Sequence, residues 1–480
     1  MRDRSVRRRT AGLSALALAA LCVLTGMTML LGYANKARCT GPEFDESGVS
    51  RSDVSARSSR YVCYSDLQYL WNARELDEMG FPYATGGITD DGELYGSVVE
   101  YPVLIGVLVW LGSLFVRTDA GFLAASALLF APFGLLTAWW LGRLSRWRAL
   151  WWALGPPLVL YSFHNWDLAA VVCSVGAIYA VHRYRATGLR RPALLAAVLL
   201  GIGAACKLYP AMFALPLALY VLTGGAAGAR DAAGARDAAD GRVAAVARDS
   251  EVRRGRFDIG GAFGVLGTAL GTFVLVNLPF AVIGFEGWAA SFRFQLRRSV
   301  DLTTNSVWYW GLRPLMAEDR FEALVGVLSP LLVLTSFALA CTVGMRHWSR
   351  GGAFPWVAVS AAMLCGFLLL HKVHSPQFAL WLLPFLVLVP VRTGWVIAYL
   401  LADAAMGIGF FRWMYLINTD QPFAVYESFA AQAVMIGVWG RAALLVGLFV
   451  AFLGASGFRF PGSSPPRAAA DRDPRPAFAE

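Results

Sequence analysis

Long apolar stretches recur along most of the chain, and they restrict its fold more than any other feature. A helix needs roughly 20 apolar residues to cross a bilayer, and the first stretch, Ala11 to Tyr33, is long enough. Hydrophobic residues make up 57% of the sequence and charged residues 15%. A soluble domain could not cover so much apolar surface, so the sequence predicts an all-α polytopic membrane protein.

The short stretch Val103 to Phe115 decides how the spans are counted. If it crossed the membrane, the basic segments 143–148 and 182–191 would lie outside, whereas Lys and Arg favour cytoplasmic loops. We therefore interpret it as a juxtamembrane helix along the outer surface. About 12 transmembrane helices are then predicted, with both termini in the cytoplasm. They are Ala11 to Tyr33, Ala120 to Leu141, Leu150 to Phe163, Asp167 to Val181, Pro192 to Cys206, Pro210 to Thr223, Ile259 to Val282, Ala323 to Met345, Phe354 to Leu370, Phe378 to Val391, Gly394 to Phe410 and Ala431 to Gly454.

The third of these spans is the weakest prediction. Leu150 to Phe163 is short and contains Gly155-Pro156-Pro157. Proline removes a backbone donor and clashes with the preceding turn, so we expect a bent helix there.

The polar segments complete the predicted organisation. The net charge of +10 would suggest nucleic acid in a soluble protein. Here the basic residues fall mostly in short loops between apolar runs, so they indicate orientation and no nucleic-acid partner is expected. The predicted segments are a basic cytoplasmic N-terminus (1–10), a transmembrane domain (11–454) with outer loops at 34–119 and 284–322, a disordered cytoplasmic linker rich in Ala, Arg and Asp (224–256), and a disordered cytoplasmic tail (455–480).

The first outer loop contains the most promising acid, Asp66. It lies in a stretch of carboxylates and aromatics from Tyr61 to Pro102. Asp66 can act as a general base on a hydroxyl, or it can simply cap a helix beginning at Leu67. An isolated cysteine pair in an oxidising compartment favours a disulfide, so Cys39 and Cys63 are expected to pair.

Three further acids have competing interpretations. Glu100 precedes Tyr101-Pro102, and a helix-start carboxylate is the preferred interpretation there. Asp167 begins a span, where it either caps the helix by about 1 kcal/mol or supports an active site. Asp403 lies deeper in an apolar run, and a partner within the helix bundle is expected because an unpaired acid in hydrocarbon is costly.

Cations recur at the predicted outer ends of the spans. Lys207 lies at a break before Leu208-Tyr209-Pro210, Lys372 stands between His371 and His374, and Arg293, Arg297 and Arg298 precede Trp308. Each cation alone could snorkel to lipid phosphates. Their convergence on the face with the acids favours a site for a phosphate-bearing lipid. His371 and His374 share a helical spacing, but no third ligand accompanies them, so no metal site is predicted. Nucleotide-binding glycine loops, HExxH, CxxC and GxSxG are absent from the sequence.

Several motifs together resemble the polyprenol-phosphate-mannose-dependent mannosyltransferases of glycosyltransferase family 87, GT-C class, found in actinobacteria. The resemblance covers about Ala11 to Gly454 without the linker. Its motifs are Tyr64-Ser65-Asp66, Val99-Glu100-Tyr101-Pro102, Asn165-Trp166-Asp167-Leu168, Cys206-Lys207-Leu208-Tyr209-Pro210, Ser306-Val307-Trp308-Tyr309 and Lys372-Val373-His374-Ser375-Pro376-Gln377.

The resemblance implies a GT-C fold and a reaction at the outer face. A hexose, mannose by the resemblance, would pass from a polyprenyl-phosphate donor to a lipid or glycan acceptor hydroxyl, with inversion and Asp66 as base. Some relatives use a divalent cation between acids, and that cofactor is left open. The residues expected to bind substrate are Glu100, Asp167, Lys207, Tyr209, Arg298, Trp308, Lys372, His374 and Gln377.

Two other classes stay open at this point. A transporter or flippase for a lipid-linked cell-envelope precursor would also need outward cations and intramembrane charges such as Asp403. The sequence shows no convincing repeat of spans, and its acids concentrate in a loop. A non-catalytic partner of the cell-wall machinery is the third possibility.

Overall fold

The computed structural model describes residues 12–455, without 42, 51–53, 75, 77, 79, 185–188 and 226–256. The predicted N-terminal segment 1–10 and nearly all of the predicted linker and tail therefore lie outside the described residues. The described part is built almost entirely of helices, as predicted. The α-helices are α1 (Ala15–Ala37), α2 (Val54–Tyr61), α3 (Asp66–Ala73), α4 (Val103–Ser113), α5 (Asp119–Ser145), α6 (Leu150–Ala153), α7 (Pro156–Tyr161), α8 (Asp167–Tyr184), α9 (Arg190–Cys206), α10 (Ala214–Leu222), α11 (Ile259–Ile283), α12 (Phe285–Arg297), α13 (Val307–Gly311), α14 (Glu318–Ser349), α15 (Trp356–Leu370), α16 (Ala379–Leu388), α17 (Thr393–Asn418) and α18 (Phe429–Gly454).

Six helical stretches are long and apolar enough to cross a membrane, which confirms a multi-pass membrane protein. They are Ala15–Ala37, Asp119–Ala153, Ile259–Ile283, Glu318–Ser349, Thr393–Asn418 and Phe429–Gly454. Other apolar helices are shorter, such as Trp356–Leu370. The total of 12 spans, the GT-C architecture and the cytoplasmic position of both termini stay predictions.

The short helices form the centre of the bundle. Nearly every residue of α8, α15 and α16 is buried, whereas α1, α11 and α14 leave many large apolar side chains exposed. Exposed apolar side chains on a long helix are typical of a surface that faces lipid. Close helix packing is made possible by small residues, as where Gly437 of α18 lies directly against the Met406 backbone of α17.

At one end of the bundle, segments that are distant in the sequence contact one another. The Lys36 ammonium contacts the Tyr64 carbonyl, the Asp66 amide contacts His164, and the Lys207 ammonium contacts Asp167. We call this the loop end, since it carries the described residues of the segments 38–118, 162–166, 284–317, 371–377 and 419–428. At the opposite end Arg148 donates to the Leu386 and Val389 carbonyls.

The first long loop is folded by local contacts. The predicted disulfide between Cys39 and Cys63 is confirmed, and it ties the end of α1 to the segment before α3. Two short antiparallel strands, β1 (Gly86–Ile88) and β2 (Leu94–Gly96), form a hairpin. The predicted juxtamembrane segment forms α4, and its position relative to the membrane stays a prediction.

The predicted span Leu150 to Phe163 is wrong as a single helix. The long helix α5 ends at Ser145, since Arg146 has a φ of 60°, and the chain then turns back so that the Trp152 indole donates to the Gly134 carbonyl at 3.2 Å. The returning segment contains two separate short helices, α6 and α7. Pro156 and Pro157 begin α7, where their missing amide donors cost nothing. The expected bend is therefore a break between two helices.

Candidate functional site

Asp66 lies at the centre of a hydrogen-bonded cluster at the loop end. The Asn165 side-chain amide donates to Asp66 Oδ2 at 2.6 Å and to the Tyr101 hydroxyl at 2.8 Å. The Tyr101 hydroxyl in turn lies 3.5 Å from Asp66 Oδ2. The Asp66 backbone amide donates to the His164 carbonyl at 2.8 Å. The carboxylate is thus fixed by groups from two other segments, and Asp66 stays half-buried, so a ligand can still reach it.

The electrostatics of Asp66 suit a proton acceptor. Burial raises the pKa of its carboxyl above the ordinary aspartate value, because the charged form loses hydration. Hydrogen bonds from Tyr64 and Asn165 and the charges of Lys207 and Arg298 oppose that rise. A carboxylate with a raised pKa is a stronger base than an exposed one.

The structure rejects the capping interpretation of Asp66. The Leu67 amide donates to the Ser65 hydroxyl oxygen at 3.3 Å, and the Ser65 hydroxyl donates to the Phe163 carbonyl at 2.6 Å. The Ser65 hydroxyl therefore accepts a hydrogen bond from a backbone amide in the first turn of α3. The Asp66 carboxylate faces Asn165 instead of its own helix.

Asp167 forms a buried ion pair with Lys207. Asp167 Oδ1 lies 2.8 Å from the Lys207 ammonium and accepts a hydrogen bond from the Trp381 indole at 2.6 Å. Asp167 is fully buried and Lys207 is 8% exposed. Asp167 Oδ2 has no partner in the described part of the chain. The Asp167 carboxylate therefore bonds to Lys207 and Trp381, its support of an active site stays a prediction, and the snorkelling interpretation of Lys207 is wrong.

Aromatic rings connect this ion pair to the Asp66 cluster. The Lys207 ammonium lies 5.3 Å from the centre of the Tyr101 ring and 5.8 Å from that of Trp381. Tyr209 stacks on Trp381 with ring centres 4.1 Å apart, and Phe378 stacks on it from 3.8 Å. Tyr209 thus supports the cation indirectly, by fixing Trp381.

Lys36, at the end of α1, belongs to the cluster although the sequence analysis did not select it. Its buried ammonium donates to the Tyr64 carbonyl at 2.7 Å, two residues before Asp66. A lysine at the end of an apolar run ordinarily extends to the lipid headgroups. Nothing in the sequence distinguishes Lys36 from that behaviour.

Lys372 contacts the backbone of Arg298 at the loop end. The Lys372 ammonium donates to the Arg298 carbonyl at 2.6 Å and lies 3.4 Å from the Leu296 carbonyl. Burial lowers the pKa of Lys372. Lys372 therefore holds the loop 298–304 in place. The Arg298 guanidinium forms no ion pair with any described residue, and its charge acts on Asp66.

Trp308 and Glu100 make their side-chain contacts with residues outside the Asp66 cluster. Trp308 donates its indole N–H to the Leu370 carbonyl at 2.8 Å, which is a packing role. Glu100 pairs with Arg74 at 3.4 Å, so the preferred helix-start interpretation is wrong. Burial raises the pKa of Glu100, and Arg74 opposes the rise.

His374 and Gln377 are buried on the loop that follows α15. The His374 amide donates to the Thr304 carbonyl at 2.7 Å. His374 Nε2 and Gln377 Oε1 have no hydrogen-bond partner in the described ranges. Burial and the Arg441 charge lower the pKa of His374 well below its usual range, so its ring is neutral.

The structure thus brings together Asp66, Asp167, Lys207 and Tyr209, with Arg298 close enough to influence Asp66. It adds Asn165, Tyr101, Trp381 and Lys36. No group of three or more His, Cys, Asp or Glu side chains that could hold a metal ion occurs among the described residues. No protein-family model, no curated protein and no solved structure matches this chain.

Proposed function

We propose that the chain is a membrane glycosyltransferase. It moves a hexose, mannose by the sequence resemblance, from a polyprenyl-phosphate donor to an acceptor hydroxyl at the outer face of the membrane. The observation that carries the proposal is the half-buried Asp66 carboxylate, fixed by Asn165 beside the Lys207–Asp167 pair. An oriented base next to cations, in a multi-pass protein, suits chemistry on a phosphorylated lipid.

The reaction is a single displacement at the anomeric carbon. Asp66 takes the proton of the acceptor hydroxyl, whose oxygen forms a bond to that carbon. The bond from the carbon to the phosphate oxygen breaks, and polyprenyl phosphate leaves with the electron pair. One displacement inverts the anomeric centre, so a β-linked donor gives an α-linked product.

Two cations are available to the leaving phosphate. The Arg298 guanidinium has no ion-pair partner in the described part of the chain, and a guanidinium binds phosphate with two parallel hydrogen bonds. The Lys207 ammonium gives one of its donors to Asp167, and two remain. Charge stabilisation of this kind lowers the barrier because it strengthens as the phosphate separates.

The central experiment measures transfer of radiolabelled hexose from polyprenyl-phosphate mannose in membranes that contain the protein. Asp66→Asn keeps the shape and the Asn165 contact region but removes the base, so we expect a loss of about 10²–10⁴-fold. Asp91→Asn is the matched control, since Asp91 is an exposed acid of the same loop. Equal transfer by wild type and Asp66→Asn at equal expression would reject Asp66 as the base.

A transporter or flippase for a lipid-linked precursor is the second candidate. The observation that favours it is the buried pair of Asp403 in α17 and Arg441 in α18, 3.5 Å apart in two membrane-length helices. Intramembrane charges often mark transport pathways. A flipping assay with a fluorescent polyprenyl phosphate in liposomes distinguishes the two functions. Flipping without hexose transfer would favour the transporter.

A further inference from the structure

The end of α1 is bonded to every residue of the segment 61–64, which comes shortly before Asp66. Three side chains near the end of the helix donate to backbone carbonyls, and a disulfide supplies the fourth bond. The bonds join Arg38 to the Tyr61 carbonyl, Asn35 to the Val62 carbonyl at 3.0 Å, Cys39 to Cys63, and Lys36 to the Tyr64 carbonyl at 2.7 Å. We call residues 61–64 the tethered segment.

The backbone of the tethered segment needs such support. Val62 has a φ of 57°, in the left-handed region. That region is unfavourable for a β-branched side chain, and a residue persists there only when the surrounding contacts determine its conformation. The bonds to Asn35 and to the two neighbouring residues supply those contacts. Without them the segment should relax to an extended conformation and displace the residues that follow.

Lys36 makes the contact nearest to Asp66 in the sequence. The lysine is buried, and burial of a charge is costly unless the charge has a specific partner. Its partner is the Tyr64 carbonyl, which also lies 3.2 Å from His164 Nδ1. The ammonium therefore fixes a backbone group two residues before the proposed base.

Asp66 is thus held on both sides along the chain. On one side, the Ser65 hydroxyl donates to the Phe163 carbonyl and the Asp66 amide donates to the His164 carbonyl. These bonds place the carboxylate beside Asn165. On the other side, the tethered segment is attached to α1, a helix of membrane-spanning length. The end of α1 therefore sets the direction from which the chain enters the Asp66 cluster.

We infer that Lys36 and the Cys39–Cys63 disulfide are positioning residues for Asp66. No substrate can touch them, because Lys36 is 2% exposed and both cysteines are 0% exposed. They act through the backbone of the tethered segment. The inference rests on the proposed transferase function, in which Asp66 is the base.

The test compares two variants of the full-length protein in detergent micelles. Lys36→Met removes the ammonium and keeps a long side chain, and since it leaves no charge to bury, it should stay folded. Cys39→Ala/Cys63→Ala removes the disulfide without changing a charge. Arg313→Met is the matched control, because Arg313 pairs with exposed Glu318 outside the Asp66 cluster.

Two measurements are made on each protein. Hexose transfer per folded molecule gives kcat and KM, with thermal unfolding to measure stability. Hydrogen exchange of the Asp66 amide reports the order of the backbone and does not depend on any reaction.

Both variants should lower kcat about 10–100-fold with KM unchanged, because a catalytic group displaced by about 1 Å can cost about 100-fold. Exchange of the Asp66 amide should become about 10-fold faster or more, since its bond to His164 opens more often. Arg313→Met should match the wild type in both measurements. A merely stabilising role would lower the unfolding temperature and leave the kcat of the folded molecules unchanged.

Wild-type kcat in both variants would overturn the inference, and so would wild-type exchange of the Asp66 amide. A loss of kcat confined to one variant would contradict action through a shared segment. Loss in Lys36→Met alone would assign Lys36 an electrostatic role instead. If the wild type transfers no hexose yet both variants speed exchange at Asp66, the tether stands and the transferase proposal fails.

Discussion

Two buried acid–base pairs lie in different environments of this protein. Asp167 and Lys207 meet at 2.8 Å at the loop end, and Asp403 and Arg441 meet at 3.5 Å within α17 and α18. Both pairs are almost completely shielded from solvent. The first adjoins half-buried Asp66, whereas the second lies beside Tyr161 of α7 and buried His374.

The hydrogen bonding of the two pairs also differs. The Asp167 oxygen that meets Lys207 also accepts the Trp381 indole. Around the second pair, Arg441 Nε and Nη2 and the Tyr399 hydroxyl lack partners in the described chain. Burial of a charge pair therefore does not by itself identify a site. The Asp167–Lys207 pair is a candidate site because an accessible third group, Asp66, lies beside it.

The largest expected effect comes from removing one partner of the Asp403–Arg441 pair. Arg441→Met leaves Asp403 as an unpaired buried acid, which should destabilise the protein by about 3–5 kcal/mol. Thermal unfolding in detergent measures it. The double variant Arg441→Met/Asp403→Leu should recover most of the loss, since an apolar pair of similar volume replaces the ion pair. A double variant as unstable as Arg441→Met would show that Arg441 stabilises the fold through other contacts.

Double variants that lack both charges of a pair should show which pair is needed for hexose transfer. Asp167→Asn/Lys207→Met removes both charges of the loop-end pair, so stability should lie within about 1 kcal/mol of wild type. Hexose transfer should nevertheless fall about 100-fold or more, because a cation beside the leaving phosphate is lost. The Arg441→Met/Asp403→Leu variant should transfer nearly normally. Normal transfer by the Asp167→Asn/Lys207→Met protein would remove this pair from the proposed site.

The smallest effect is a shift of the pH profile. Asp66 must be deprotonated to act as base, so transfer should fall as the pH drops through its raised pKa, at a higher pH than an ordinary aspartate would show. Arg298 lowers the pKa of Asp66 and has no ion-pair partner among the described residues, so Arg298→Met should move this acidic limb to still higher pH. Arg441→Met/Asp403→Leu should leave the limb in place. A limb that does not move in Arg298→Met would contradict the assigned base.

The same titration acts on stability in the opposite sense. The Asp66 carboxyl binds its proton more tightly in the folded chain than in the unfolded chain. Its contribution to stability is complete below the unfolded pKa and is lost as the pH rises through the folded pKa. Activity and the Asp66 contribution to stability therefore change in opposite directions over this pH range.

The sequence predicted features that depend on local patterns. Apolar length predicted the membrane helices, and an isolated cysteine pair predicted the Cys39–Cys63 disulfide, both of which the structure confirms. The expectation that Asp403 pairs within the bundle is confirmed by Arg441. For the membrane helices and the Asp403 pair, the cost of leaving a polar group unsatisfied in lipid determines the outcome, and that cost depends on residue type. The disulfide depends on the spacing of two isolated cysteines in one loop.

The sequence could not predict which distant groups meet. Trp381 lies in an apolar run, where its indole N–H gives no sign of bonding to Asp167. Lys36 and Lys372 resemble ordinary interfacial lysines, yet both bind backbone carbonyls. Such contacts depend on the packing of whole helices. The break before Pro156 was misjudged because a kink and a break share the same Gly-Pro-Pro signal.

The hydrogen bonds of the site join residues that are distant in sequence, so the site cannot form until late in synthesis. Asp66 is 99 residues from Asn165, and Asp167 is 214 residues from Trp381. A ribosome adds about 5–20 residues per second, so the 315 residues between Asp66 and Trp381 take roughly 15–60 s. During that interval Asp66, and Asp167 once it has been synthesised, lack their full set of partners. A nascent chain of this protein is therefore committed to the bilayer well before its site can close.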